Sequence, residues 1–215
     1  MKILTIEFSS KHRSVAIGVN GEIAGYSEEI DDCALFPFKL IDSALEKAKI
    51  KREEIECVSV GIGPGSYTGI RIAISIAQGW QLARNIKLLG ISSVESIAEK
   101  IAFNKMNGKY RILIDAQRGE YYCADYDVES SQYKCVNPIK IVSHNNICKD
   151  SDRIIAGYDF PEIHAEKINI VPDAKSIYRL SLNNQLFING EKLEPVYLRP
   201  ISFVKAPPPR ILDII

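Results

Sequence analysis

Residues 2–7 read Lys-Ile-Leu-Thr-Ile-Glu and residues 111–115 read Arg-Ile-Leu-Ile-Asp, two β-rich runs that each end in a carboxylate. Two further apolar runs, Ser14–Val19 and Glu22–Tyr26, follow the first one and are joined by Asn20-Gly21. Asn-Gly between apolar runs predicts a tight hairpin, because both residues tolerate the positive φ angles of a type I′ turn. The first half of the chain is therefore predicted to open with a three-stranded antiparallel meander.

The second half repeats this plan, since residues 120–126 and 132–136 follow its acid-ended strand as two further β-rich runs. After the meanders, hydrophobic periodicity predicts helices over 35–49, 68–84 and 173–183, a helix opened by Ser92 or Ser93, and strands over 57–62, 86–91, 153–157 and 168–171. This order describes an α/β protein with an actin-like (ASKHA) fold made of two tandem ribonuclease H-like lobes. The polar stretch 103–109 separates them, which predicts lobes over residues 1–105 and 106–215.

Composition narrows the class of protein. The chain has 215 residues with 27 basic and 27 acidic side chains, and a net charge of zero argues against nucleic-acid binding by its own field. No apolar run approaches the ~20 residues needed to span a bilayer, and Glu7 falls where a signal peptide would still be apolar. The five cysteines form no C-x-x-C pair, so we expect reduced structural thiols and a cytoplasmic location.

Residues 61–71, Gly-Ile-Gly-Pro-Gly-Ser-Tyr-Thr-Gly-Ile-Arg, form a glycine-rich link between a predicted strand and a long helix. Such a link can hold an anion on backbone N–H groups, although the run matches neither a Walker A loop nor the dinucleotide fingerprint. The alternative is a tight turn before a helix capped by Ser66 or Thr68. The residue pattern leaves both interpretations open.

The helix after this link is apolar on nearly all sides, which indicates burial on more than one face. Gly69, Ala73 and Ala77 are spaced by four residues and would leave a shallow groove for a second helix, and Trp80 is a typical interface anchor. The polar side chains Arg71, Ser75, Gln78 and Gln81 lie close to one narrow stripe. Either a partner protein or the chain's own sheet and neighbouring helix can cover the apolar faces.

The run 61–71, followed by Ala77-Gln78-Gly79, resembles the signature of the bacterial TsaB (YeaZ) family. The resemblance extends to residues 114–122, 172–175 and 194–199, so that it covers essentially the whole chain. Two positions depart from the family pattern: Glu7-Phe8 stands where the family has Asp-Thr, and the segment around Cys33 lacks a common histidine. The fold that the resemblance implies agrees with the two-lobed fold predicted from the repeated strand pattern.

The resemblance implies a non-catalytic scaffold that pairs with a TsaD-like catalytic subunit and acts with a TsaE-like ATPase. Together they would install threonylcarbamoyl on the adenosine beside the anticodon of ANN-decoding tRNAs, with tRNA reached through the complex. It also implies that the chain can form a homodimer when alone. Pattern and resemblance together place partner contacts on Leu35, Phe38, Ile41, Leu45, Gly69, Ala73, Ala77 and Trp80. The double change Ala73→Glu with Ala77→Glu is therefore expected to abolish association and leave the fold intact.

Several residue patterns argue against an enzyme. The three histidines, His12, His144 and His164, are never four residues apart, so the chain lacks the His-x-x-x-His pair by which catalytic relatives bind a metal. Residues 8–11 contain no glycine that would let the backbone approach a phosphate, and no G-x-S-x-G motif supports a protease. We expect no cofactor, and a nucleotide only at the interface with the TsaD-like partner. The alternative is a divergent actin-fold phosphotransferase that holds Mg-ATP between Glu7 and Asp115.

Overall fold

The meander predicted at the start of each half is present, and each one forms the larger part of a five-stranded sheet in the computed structural model. The structure describes residues 1–30, 36–147, 152–160, 166–184 and 186–199. The strands of the first sheet are β1 (Lys2–Glu7), β2 (His12–Val19), β3 (Glu22–Ile30), β4 (Cys57–Gly61) and β5 (Lys87–Ile91). Those of the second are β6 (Gly108–Asp115), β7 (Glu120–Glu129), β8 (Gln132–Ser143), β9 (Ile154–Tyr158) and β10 (Lys167–Asn169).

The two sheets have the same topology. The first has the order β3-β2-β1-β4-β5, and the second has the equivalent order β8-β7-β6-β9-β10. In each sheet the meander strands are antiparallel and the last two strands join in parallel. This is the ribonuclease H-like order repeated, which confirms the predicted α/β, actin-like fold.

Four α-helices complete the fold: α1 (Pro37–Ala48), α2 (Tyr67–Arg84), α3 (Ser93–Phe103) and α4 (Ala174–Asn183). The hairpin turn has the predicted form, with φ angles of 52° at Asn20 and 92° at Gly21. Ser66 caps α2, since its Oγ accepts the backbone N–H of Gly69 at 3.3 Å. The segment around Cys33 and Leu35 and the proline-rich residues 205–210 lie outside the described residues.

The second half contributes α4 to the core of the first sheet. Tyr178 on α4 is fully buried and packs in one cluster with Ile3, Cys57 and Leu89. Conversely, α3 from the first half of the chain packs on the second sheet through residues such as Ile97. The sheets separate between β5 and β6, while the lobe limit at 105/106 stays a prediction. None of the described helices is long and apolar enough to cross a membrane.

Candidate partner-binding groove and interlobe cleft

Two glycines, one at the end of β4 and one in the first turn of α2, let these elements pack directly on the end of β1 and the loop after it. A Cβ atom on Gly61 would lie 2.1 Å from Oε2 of Glu7, and one on Gly69 would lie 1.9 Å from the carbonyl oxygen of Phe8. The backbone N–H of Ser66 donates to the carbonyl of Ser9 at 2.7 Å. These contacts and the Ser66 cap favour the interpretation of this stretch as a tight turn before a capped helix.

Glu7, one of the two candidate strand-end acids, lies beneath this loop and is completely buried. Its Oε1 accepts the backbone N–H of Ser9 at 2.6 Å, and its Oε2 has no hydrogen-bond partner among the described residues. Burial raises the pKa of Glu7 from 4.5 to about 7; hydrogen bonds from Ser9 oppose the rise, and the charge of Asp173 adds to it. The carboxyl group is therefore partly protonated at neutral pH.

Asp115, the second candidate, lines an interlobe cleft of about 630 Å³. Its Oδ1 accepts the backbone N–H of Gln117 at 2.8 Å. The cleft also contains basic and aromatic side chains, among them Lys11 and Tyr158, whose hydroxyl donates to the carbonyl of Ser9 at 3.2 Å. Glu7 does not line this cleft, so the structure brings only one of the two candidate carboxylates into it.

A second and mostly apolar groove of about 750 Å³ runs between α1 and α2. Phe38 contributes one wall and is 56% exposed. The other wall is α2, which presents Ile72, Ile76, Gly79 and Trp80. The described residues leave the groove open to solvent, and it lies on the two helices that the sequence resemblance selects for partner contact.

The predicted contact residues that the structure describes divide into two groups, one that lines the groove and one that is buried. Phe38 and Trp80 line the groove, whereas Leu35 lies outside the described residues. The others, Ile41, Leu45, Gly69, Ala73 and Ala77, are buried in the chain's own core. These buried positions cannot meet a partner in the folded protein, because the chain's own core already covers them.

The accessible stripe of α2 is therefore shifted by one residue from the predicted one, which is a rotation of about 100°. Ile72 and Ile76 take the place of Ala73 and Ala77 on the groove side. The expectation that glutamates at 73 and 77 would leave the fold intact is wrong, because both alanines are 0% exposed. Residue size gives no signal for the accessible face, because Gly79 lines the groove while the large side chains of Ile70 and Ile74 are buried in the core.

The polar stripe of α2 holds another part of the chain. The Nε2 group of Gln78 donates to the carbonyl of Gly190 at 2.8 Å, and Oε1 of Gln81 accepts the N–H of Gly190 at 2.7 Å. Leu193 in the same segment is buried in the core of the first lobe. The described chain thus covers α2 on this side and leaves the groove side open, so partner contact at the groove stays a prediction.

A cluster at the N-terminal end of α2 was not predicted from the sequence. The guanidinium of Arg71 lies 4.1 Å from the ring centre of Tyr67, and its Nη2 donates to the hydroxyl of Tyr197 at 2.6 Å. Tyr67 borders both the groove and the interlobe cleft. Tyr197 follows the segment held by Gln78, so only the folded chain brings these residues together.

The described part of the chain contains no group of three His, Cys, Asp or Glu side chains that could hold a metal ion. His12 lies on the first sheet, where its Nε2 is 2.8 Å from Oε2 of Glu28, and His144 lies just beyond β8 of the second. His164 is outside the described residues.

The repeated ribonuclease H-like sheet and the exposed groove define a two-lobed protein of the actin-like class. The family model described as TsaD, tRNA N6-adenosine threonylcarbamoyltransferase, matches residues 38–185. The tRNA threonylcarbamoyladenosine biosynthesis protein TsaB of Escherichia coli K12 is 28% identical over 223 residues, covering 93% of this chain and 95% of that protein. TsaB of Bacillus subtilis is 25% identical over 184 residues, covering 81% and 78%.

The solved structure of YeaZ from Pseudomonas aeruginosa has the same fold. It superposes with a TM-score of 0.79 at 20% sequence identity, covering 92% of this chain and 99% of that one. The chain belongs to the family that the matching model describes and, within it, to the TsaB (YeaZ) group, whose role lies in tRNA threonylcarbamoyladenosine biosynthesis. This confirms the resemblance seen in the sequence.

Proposed function

We propose that this chain is a non-catalytic scaffold subunit for threonylcarbamoylation of the adenosine beside the anticodon in ANN-decoding tRNAs. It acts by binding a TsaD-like catalytic subunit through the groove between α1 and α2. The observation that carries the proposal is the groove itself, a mostly apolar groove of about 750 Å³ on the first lobe. Large exposed apolar patches on a folded chain mark interaction sites.

The side chains around the groove are of the kinds that dominate binding energies. Trp80 and Phe38 are rigid aromatic groups, and Tyr67 with Arg71 forms a stacked pair at one end. Tryptophan, tyrosine and arginine are enriched among residues whose loss most weakens an interface. A partner that carries an apolar helix would bury these groups from solvent.

A non-catalytic role is supported by the state of the interlobe cleft. In actin-like enzymes two strand-end carboxylates handle Mg-ATP, and here Glu7 is buried below the loop instead of lining the cleft. We therefore propose that the chain holds no cofactor of its own and that a nucleotide binds only at the interface with the TsaD-like subunit. A TsaE-like ATPase acts on the assembled complex, and tRNA is contacted through that complex.

The alternative function is an actin-fold phosphotransferase, which the presence of Asp115 and Lys11 in the cleft favours. Stoichiometric Mg-ATP binding by the isolated chain, lost in Asp115→Ala, would support it. If the isolated chain does not bind Mg-ATP and threonylcarbamoylation requires the chain, the results would support the scaffold function.

The scaffold proposal predicts that Ile72→Asp with Ile76→Asp weakens the complex with the TsaD-like subunit by about 100-fold or more, because two charges enter an apolar contact. Size-exclusion chromatography measures formation of the complex, and a reconstituted threonylcarbamoylation assay measures the modification that depends on it. Leu82→Asp is the matched control, since Leu82 lies on the same helix, is 90% exposed and does not line the groove. A double variant that still binds and supports modification would refute the proposal.

A further inference from the structure

Charge is distributed unevenly along the α2 wall of the groove. The helix from Tyr67 to Arg84 contains no aspartate or glutamate. Its two arginines, Arg71 and Arg84, both line the groove, with the apolar side chains of Ile76 and Trp80 between them. An incoming helix therefore meets an apolar strip with a positive charge towards each end.

Neither of these arginines forms an ion pair with any residue that the structure describes. Arg52 also borders the groove, but its Nε donates to Oδ1 of Asp42 at 3.1 Å. Glu53 is the one acidic side chain in the described lining. The groove therefore has more positive than negative charge available to a partner.

Arg71 is also held in position before any partner arrives. Its guanidinium stacks on Tyr67 at 4.1 Å and donates to the hydroxyl of Tyr197 at 2.6 Å. A planar guanidinium offers five N–H donors, so these contacts leave donors for a carboxylate. Because its conformation is already restricted, less side-chain entropy is lost on binding.

We propose that the groove accepts an amphipathic helix with carboxylates flanking its apolar face, and that Arg71 and Arg84 select this partner over a second copy of the chain. The inference rests on the proposed function, because it specifies the chemistry of the partner at the same groove. A carboxylate opposite Arg71 would form a charge-assisted pair with the guanidinium.

A second copy of the chain lacks this complementarity. In a two-fold symmetric dimer both copies present the same surface, so a pair of α2 helices would bring together four arginines and no acid from either helix. Glu53 of each copy is the only acid that the described linings add. Like charges brought together at an interface cost several kcal/mol and suppress wrong partners.

The test compares wild type with Arg71→Glu in two measurements: affinity for the TsaD-like subunit by calorimetry, and self-association by sedimentation equilibrium. Arg71→Glu should weaken binding to the catalytic subunit about tenfold and tighten self-association, since a glutamate at 71 can pair with Arg84 of the second copy. Arg71→Gln should weaken partner binding less and leave self-association weak. Lys134→Glu, an exposed charge reversal on the second sheet, should change neither.

The outcomes separate this inference from the scaffold proposal. If wild type binds the catalytic subunit and Arg71→Glu binds it equally well, the charge selection is refuted and the scaffold role stands. Wild-type self-association tighter than binding to the catalytic subunit would also refute the selection. If wild type does not bind the catalytic subunit at all, the proposed function itself fails. Thermal unfolding of each variant ensures that folded proteins are compared.

Discussion

Glu7 illustrates how one residue's environment determines its chemistry. The missing side chain at Gly61 leaves the space that the carboxyl group of Glu7 occupies. One oxygen of the carboxyl group is bound by Ser9 and the other has no partner among the described residues. Since an ionised carboxylate is poorly solvated there, burial raises its pKa to about 7.

A raised acid pKa makes folding more favourable at low pH. The contribution of Glu7 to stability is fully present below its ordinary pKa of 4.5 and is lost as pH rises to about 7. Glutamine does not titrate, so the Glu7→Gln variant should not show this loss. The free energy of unfolding of the variant, relative to that of wild type, should therefore increase by roughly 2 to 3 kcal/mol between pH 5 and pH 8. Urea unfolding at both pH values measures the change. The exposed Glu46→Gln is the control, and a pH-independent difference for Glu7→Gln would contradict the assignment.

At the scale of the element, α2 is a helix with three different faces. One face, with Ala73 and Ala77, packs on the first sheet, and a second, with Gln78 and Gln81, holds the segment around Gly190. The third borders the open groove. This division explains why the helix is apolar over more than half its circumference and still has an accessible apolar surface.

Two glycines in α2 are expected to respond in opposite ways to alanine. Gly79→Ala should stabilise the isolated chain by about 1 kcal/mol, because glycine is a poor helix former and the new Cβ meets no atom within 4 Å beyond its chain neighbours and its own helix backbone. Gly69→Ala should destabilise it by at least about 1 to 3 kcal/mol, because its Cβ would lie 1.9 Å from the carbonyl oxygen of Phe8. Denaturant unfolding of both variants measures the effects, and equal effects of the same sign would contradict the packing.

For the whole molecule, the exchange of helices between the sheets couples the two lobes. Arg179 on α4 donates two hydrogen bonds to Glu99 on α3, at 2.5 and 2.8 Å. Lys100 on α3 lies 2.7 Å from Asp173, which caps α4 through the N–H of Ser176. The two exchanged helices are therefore bound to each other as well as to the opposite sheets.

This exchange predicts that a fragment of residues 1–105 does not fold cooperatively alone. Without α4, the side of the first sheet formed by Ile3, Cys57 and Leu89 would lose the buried Tyr178 and be exposed to water. Adding the fragment 106–215 should restore the structure. Circular dichroism and hydrogen exchange of the separate and mixed fragments measure this. Cooperative unfolding of the first fragment by itself would show that the lobe is autonomous.

The order and type of the elements followed from local patterns in the sequence. The predicted strand 57–62 is β4, Cys57–Gly61, and the predicted helix 68–84 is α2, Tyr67–Arg84. Asn20-Gly21 forms the expected turn. These features depend on side chains a few residues apart, so periodicity and turn chemistry were sufficient to predict them, and the repeat of the pattern predicted the two similar sheets.

By itself, then, the sequence determined the architecture, the family and the pair of helices that carry the groove. Only the tertiary structure decided which face of α2 is accessible, that Glu7 lies below the cleft, and that α4 crosses to the first sheet. The reason is that each of these depends on contacts between distant segments, such as Gly69 with Phe8 and Gln78 with Gly190. A helix that is apolar on most sides has several faces suited to burial, and the choice among them is made by the elements that pack against it.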